Sequence, residues 1–272
     1  MDANEWTLPG TRSVLAARTW PNPHARWLAI LVHGYGEHVG RYQHVADALV
    51  HGGAVVVGAD HMGHGRSTGE RVLLPDLDDV VADVHEVAEV TGTSAGSLPK
   101  VLIGHSLGGL VSVRYAQRYR ETLAAMVLSA PVLGSWPALD LLASLEIPDQ
   151  PIDPGTLSRD PAVADAYRDD PLVWHGPFKR ATLEAIDRSL QTANEAGVLE
   201  DLPVLWVHGD EDELVPVADT RTGIDRIRGS AFEERIYPGA RHELFNETNR
   251  DEVLADVVAF LHRVFDETFP AR

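Results

Sequence analysis

Lys100-Val101-Leu102-Ile103-Gly104-His105-Ser106-Leu107-Gly108-Gly109 is the stretch on which the reading of this chain turns. Val101, Leu102 and Ile103 form a short apolar, β-branched run that reads as a buried strand. It breaks at Gly104 to Gly108, which spell Gly-x-Ser-x-Gly, and an apolar helical pattern follows from Leu110. A serine at a sharp strand-to-helix turn sits in a strained backbone conformation, and flanking glycines remove the Cβ atoms that would clash there. The turn pushes the Ser106 hydroxyl into the open, and a helix beginning at Leu107 aims its first free N–H groups at whatever that hydroxyl attacks. By composition the bare pattern arises roughly 0.1 times in a chain of this length, so the strand before it and the helix after it carry the argument.

Working outward, 272 residues with 44% hydrophobic content can bury roughly three quarters of the unfolded surface as one large α/β domain. A net charge of −18, from 41 acidic against 23 basic residues, opposes electrostatic binding to nucleic acid or to an anionic membrane surface. Cysteine is absent, which rules out disulfides, thiolate zinc sites and a cysteine nucleophile. Met1 to Gly10 carries Asp2 and Glu5 and no apolar run, unlike a signal peptide. No stretch reaches the ~18 apolar residues of a membrane span, so a soluble, cytoplasmic protein is expected.

Upstream of the serine, Trp27 to Val32 and Ala54 to Val57 read as buried strands, with a short mixed strand over Ser13 to Arg18. Helices are expected over Arg41 to Val50 and Leu77 to Val90. Downstream, Ala125 to Ser129 and Val204 to Val207 are strands, Phe232 to Tyr237 is an edge strand, and a last helix follows Asn249. Apolar strands alternating with helices imply a parallel sheet covered on both faces, with reactive groups gathered at the strands' carboxyl ends. His33, Asp60 and Ser106 fall there. Between Gly134 and Asp201 the rhythm fails, prolines accumulate, and only Trp136 to Leu145 and Ala181 to Ala196 look helical. Residues 134–201 are therefore expected to be a cap inserted into a core of residues 1–133 and 202–272. Its greasy run, Trp136, Leu139, Leu141, Leu142, Leu145 and Ile147, either packs the cap down or faces an apolar substrate or lipid surface.

A serine needs a base, and the base needs a third group to fix its tautomer. In this architecture the acid precedes the histidine. Asp210, Glu211, Asp212 and Glu213 follow one strand, and His242 follows the next. Chain order alone does not choose among the four acids. The candidate triad is Ser106, Asp212 and His242, with Asp210 as the rival acid that would otherwise bond turn backbone. Two oxyanion donors are expected, the N–H of Leu107 and that of Tyr35 in the glycine loop after Val32. His105 reads as pocket wall or backbone partner rather than base.

Taken together, His33-Gly34-Tyr35-Gly36-Glu37-His38, Asp60-His61-Met62-Gly63-His64-Gly65-Arg66-Ser67 and Gly104-His105-Ser106-Leu107-Gly108-Gly109 resemble the monoacylglycerol lipase branch of the α/β-hydrolases. The resemblance continues through Leu157-Ser158-Arg159-Asp160 and Asp170-Pro171-Leu172-Val173 to His208-Gly209-x-x-Asp212 and Gly239-Ala240-Arg241-His242. It implies an α/β-hydrolase fold and a serine hydrolase of monoacylglycerols or similar single-chain lipid esters, needing no metal or organic cofactor. It also implies that Asp212 is the acid and that Glu37, Arg41, His105 and Tyr167 lie near the alcohol end of the pocket. Some members carry a second histidine three residues after the catalytic one, where this chain has Phe245. A lysophospholipid or simple ester thus remains an alternative substrate. Outside the class stand a metallohydrolase using His33, Asp60, His61 and His64, and a non-catalytic ligand binder on the same fold.

Overall fold

A computed structural model describes residues 2–95 and 98–268. Eight strands form one sheet: β1 (Asn4–Pro9), β2 (Val14–Trp20), β3 (Trp27–Val32), β4 (Ala54–Ala59), β5 (Lys100–His105), β6 (Leu123–Ser129), β7 (Val204–Gly209) and β8 (Phe232–Tyr237). Their order is β1-β2-β4-β3-β5-β6-β7-β8. From β4 to β8 every neighbouring pair is parallel, and β1 and β2 close the other edge antiparallel.

Helices α1 (Gln43–His51), α2 (Leu77–Ala95), α3 (Leu107–Arg118), α4 (Pro161–Asp169), α5 (Arg180–Glu195), α6 (Val217–Ile227) and α7 (Arg250–Thr268) complete the chain. β3 shows why the strands lack alternating polarity. Leu28, Ile30 and Val32 belong to the apolar layer shared with α2 and α3, while Ala29 and Leu31 belong to the layer shared with α1 and α7. Both faces of the strand are buried, so both registers of a period-two pattern must be apolar.

The strands and helices expected from sequence are present, and Phe232–Tyr237 is an edge strand. Three elements were not foreseen. β1 is an edge strand exposed except at Trp6 and Leu8, two alternate positions that are too few to show a period. α4 is announced only by its start, where Asp160 accepts the Ala162 N–H beside Pro161. α6 follows Pro216 directly. The helical patch at Trp136 is a 3-10 segment, Pro137–Ala143, rather than an α-helix. No helix among the described residues is long and apolar enough to cross a membrane.

Between β6 and β7 the chain leaves the sheet and returns to it tied down by specific bonds. The Trp174 N–H donates to the Gly36 carbonyl at 2.7 Å, His38 Nε2 bonds Asp170 at 2.8 Å, and Arg71 donates to the Leu172 carbonyl at 2.7 Å. Trp136 Nε1 donates to the Leu214 carbonyl at 3.0 Å. The greasy run divides its work. Leu139, Leu142 and Ile147 pack on the main apolar layer, Trp136 and Leu141 also line a cavity, and Leu145 is fully exposed.

Candidate active site

The sharp turn after β5 holds Ser106 at φ 55°, ψ −120°, a left-handed conformation that costs an ordinary residue about 1–3 kcal/mol. It is held by packing: a Cβ on Gly108 would stand 2.0 Å from the Val32 carbonyl oxygen, so only glycine lets α3 approach β3 this closely. Ser106 is nonetheless only 8% exposed, and Trp136, Leu157, Tyr167 and Phe178 from the segment between β6 and β7 line the same cavity.

The loops after β7 and β8 meet beside it. A Cβ on Gly209 would lie 2.1 Å from the Ala240 carbonyl oxygen, and the Glu211 N–H donates to that same carbonyl at 3.1 Å. This contact delivers His242 to the serine. His242 Nε2 lies 2.9 Å from Ser106 Oγ, and His242 Nδ1 lies 2.7 Å from Asp212 Oδ2. Asp210, the rival acid, accepts the Gly239 N–H at 2.6 Å and bonds loop backbone instead.

Electrostatics set the protonation states. Burial alone would push the Asp212 carboxyl up, but the charge of His242 and hydrogen bonds from His208 and His242 hold it below the ordinary range. Burial would lower His242, and the adjacent Asp212 carboxylate outweighs it, so the imidazole is raised. His105 is pushed down to about 4 by burial and by neighbouring His242, and its Nδ1 bonds the Ser129 carbonyl at 3.2 Å. It stays neutral at pH 7.

Among the described residues, neither the Tyr35 N–H nor the Leu107 N–H meets a protein acceptor. Gly34 N–H, one residue earlier, donates to Glu37 at 2.7 Å. Glu37 also accepts from Tyr42 Oη at 2.6 Å and from Arg41 at 2.7 Å. Arg41 lies 5.2 Å from the centre of the Tyr167 ring and pairs with Glu243, which sequence reasoning missed although it adjoins His242.

These groups surround a cavity of about 300 Å³. Its lining includes apolar Trp136, Leu141, Ile152, Phe178, Leu214 and Val215 together with Glu37, Arg41, His105, Tyr167 and Glu243. Phe245 is buried, edge-on to Tyr42, and does not line it.

The histidine cluster behind the glycine loop is turned inward. His61 N–H donates to His33 Nε2 at 3.0 Å, His61 Nε2 bonds the His33 carbonyl at 3.0 Å, and His64 Nδ1 bonds the Met62 carbonyl at 2.9 Å. Asp60 accepts the Val39 and Arg66 N–H groups. The two His33 nitrogens and the Asp60 carboxylate are committed to backbone, His64 Nε2 is buried without a partner, and no group of three His, Cys, Asp or Glu among the described residues could hold a metal ion.

An oxygen nucleophile relayed through imidazole to a desolvated carboxylate performs acyl transfer, and on this sheet it defines a serine hydrolase of the α/β-hydrolase fold. The chain belongs to the serine aminopeptidase S33 (Hydrolase_4) family, whose pattern matches residues 23–249. It is 38% identical over 251 residues to a monoacylglycerol lipase of Mycolicibacterium smegmatis, covering 89% of this chain and 90% of that one. It is 30% identical over 245 residues to the human monoglyceride lipase, covering 86% and 81%. Among solved structures, a Paleococcus ferrophilus monoacylglycerol lipase superposes with a TM-score of 0.77 at 27% identity, covering 92% of this chain and 99% of that one. The resemblance carried by the motifs is borne out.

Proposed function

We propose that this protein hydrolyses monoacylglycerols to glycerol and a free fatty acid through an acyl-enzyme on Ser106. The observation that carries the reading is the relay Ser106–His242–Asp212 opening onto a cavity lined by both apolar and polar side chains. The acyl chain lies against Trp136, Leu141 and Phe178, and the glycerol end against Glu37, Arg41, His105 and Tyr167. His242 takes the Ser106 proton as the hydroxyl attacks the ester carbonyl, then delivers it to the departing glycerol oxygen. The oxyanion is met by the N–H groups of Tyr35 and Leu107. Water, deprotonated by the same histidine, releases the fatty acid.

Residues 134–201 act as the cap in this reading, supported by the bonds of Trp136, Asp170 and Trp174 to the core loops. In this reading the fully exposed Leu145 is where the cap touches a lipid surface transiently, and we place the protein in the cytoplasm.

The test is fatty acid release from monoacylglycerols, diacylglycerols, lysophospholipids and p-nitrophenyl esters by the native protein and by Ser106→Ala. The expected result is preference for monoacylglycerol and loss of nearly all turnover in the folded variant. Undiminished hydrolysis by Ser106→Ala refutes the mechanism, and preference for lysophospholipid or for acetate esters refutes the substrate.

A further inference from the structure

His208 lies at the carboxyl end of β7, fully buried, and the relay described above does not use it. Strand periodicity puts it on the same face as Trp206, two residues earlier, in the layer where α6 packs. Trp206 Nε1 stands 3.1 Å from His208 Nδ1. An indole N–H can only donate, so Nδ1 must carry the lone pair and a neutral His208 must carry its proton on Nε2. That nitrogen faces two acceptors, the Val215 carbonyl at 2.8 Å and Asp212 Oδ2 at 3.2 Å. A doubly protonated ring would set an N–H against the indole N–H.

We propose that His208 is a positioning residue for the catalytic acid, locked by Trp206 as the Nε2–H tautomer so that its one N–H, given first to the Val215 carbonyl, also stands against Asp212 and keeps Oδ2 on His242. The proposal rests on the triad reading above. The carboxylate's other contacts show what the histidine adds. Oδ1 accepts the N–H groups of Leu214 and Val215, both at 2.9 Å, so it is fixed by its own loop. Oδ2 has His242 at 2.7 Å and His208 Nε2 at 3.2 Å, the latter sharing its proton with the Val215 carbonyl, so both imidazoles bear on the same oxygen. The loop so fixed also lines the substrate cavity through Leu214 and Val215 and receives the Trp136 indole on the Leu214 carbonyl. Trp206 is itself held beneath the Arg221 guanidinium, 4.8 Å from its ring centre.

A second consequence is electrostatic. An N–H on Oδ2 draws off part of the charge that Asp212 would otherwise present to His242, whose other charged or titratable neighbours are His105, Glu37 and Glu243. Removing that donor makes His242 more basic.

The test uses Trp206→Phe, His208→Leu and His208→Gln in the whole protein, with unfolding midpoints, kcat and KM for monoacylglycerol, and the pH profile of kcat/KM. Glutamine keeps an N–H near the place of Nε2. His208→Leu is expected to lower kcat by about tenfold or more with KM little changed, by analogy with removal of the hydrogen-bond partner behind a metal-ligating histidine. Its acid limb moves to higher pH, and His208→Gln restores both. ¹⁵N spectra of the native protein are expected to show His208 protonated on Nε2, and those of Trp206→Phe to show that tautomer no longer exclusive. If His208→Leu loses only the activity of its unfolded fraction, with the acid limb unmoved, the proposal is overturned. So is it if Nδ1 carries the proton in the native spectra. Ser106→Ala separates the two readings: inactive Ser106→Ala with unaffected His208 variants removes this inference alone, while active Ser106→Ala removes the triad itself.

Discussion

Arg41 donates two parallel hydrogen bonds to Glu243, Nη1 to Oε1 at 2.6 Å and Nη2 to Oε2 at 2.8 Å, and thereby ties the loop after β3 to the loop that carries His242. Its Nη1 also reaches Glu37, so one guanidinium serves two buried carboxylates. Charges taken out of water this completely persist only while paired. Arg41→Met should therefore destabilise the fold by about 3–5 kcal/mol, read from urea unfolding, and the added change Glu243→Gln should recover part of that loss. Strictly additive losses would show that the pair is not coupled.

The two acids of the β7 loop should separate cleanly. Asp212→Asn leaves His242 without its carboxylate and is expected to lower kcat by about 10⁴-fold, as in other serine triads with the acid neutralised. Asp210→Asn removes only an acceptor for the Gly239 N–H and should change kcat by less than about threefold. Steady-state hydrolysis of one monoacylglycerol by both variants checks the assignment.

Activity should fall on the acid side through the titration of a single histidine. His242 must be neutral to accept the serine proton, and its raised pKa places the loss of kcat/KM above the ordinary histidine range, with activity returning as pH rises. His105 titrates at about 4, so the limb should survive in His105→Gln. A limb that vanishes with His105 would transfer the base role to that residue.

Stability should also fall in acid, through groups away from the serine. Burial holds His33, His61 and His64 below the ordinary histidine value, His64 to about 3. The unfolded chain takes up protons below about pH 6.5 that the folded cluster refuses, so folding weakens as pH falls from there toward 3. The lowered Asp212 carboxylate adds its loss at still lower pH. Replacing His64 by Gln should reduce the stability difference between pH 7 and 4.5 by about 2 kcal/mol, measured by urea unfolding at both. An unchanged difference would rule out His64 as the acid-sensitive group.

The elements that sequence revealed share a physical trait. β3, β4, β5 and β7 are buried on both faces, so each had to be an uninterrupted apolar run, and Ser106 had to be flanked by glycines because no side chain fits between α3 and β3. β1 escaped notice because an exposed edge strand carries no such demand, and α4 and α6 because capping residues mark a start without a length. The Ser106 and His242 positions, and an acid somewhere in the loop after β7, were legible from strand ends and chain order, since loops at the carboxyl edge of a parallel sheet must gather there.

What the chain alone determined, then, is the sheet, the nucleophile turn and the order of the reacting groups, all of which follow from local burial and backbone sterics. Tertiary structure decided which of four neighbouring acids faces the imidazole, why the serine is covered rather than open, and how Glu243 and His208 enter the site. Those outcomes depend on bonds between loops far apart in sequence, such as Glu211 to Ala240 and Arg41 to Glu243. No one-dimensional pattern encodes which of several similar polar groups will complete a hydrogen bond once the loops have met.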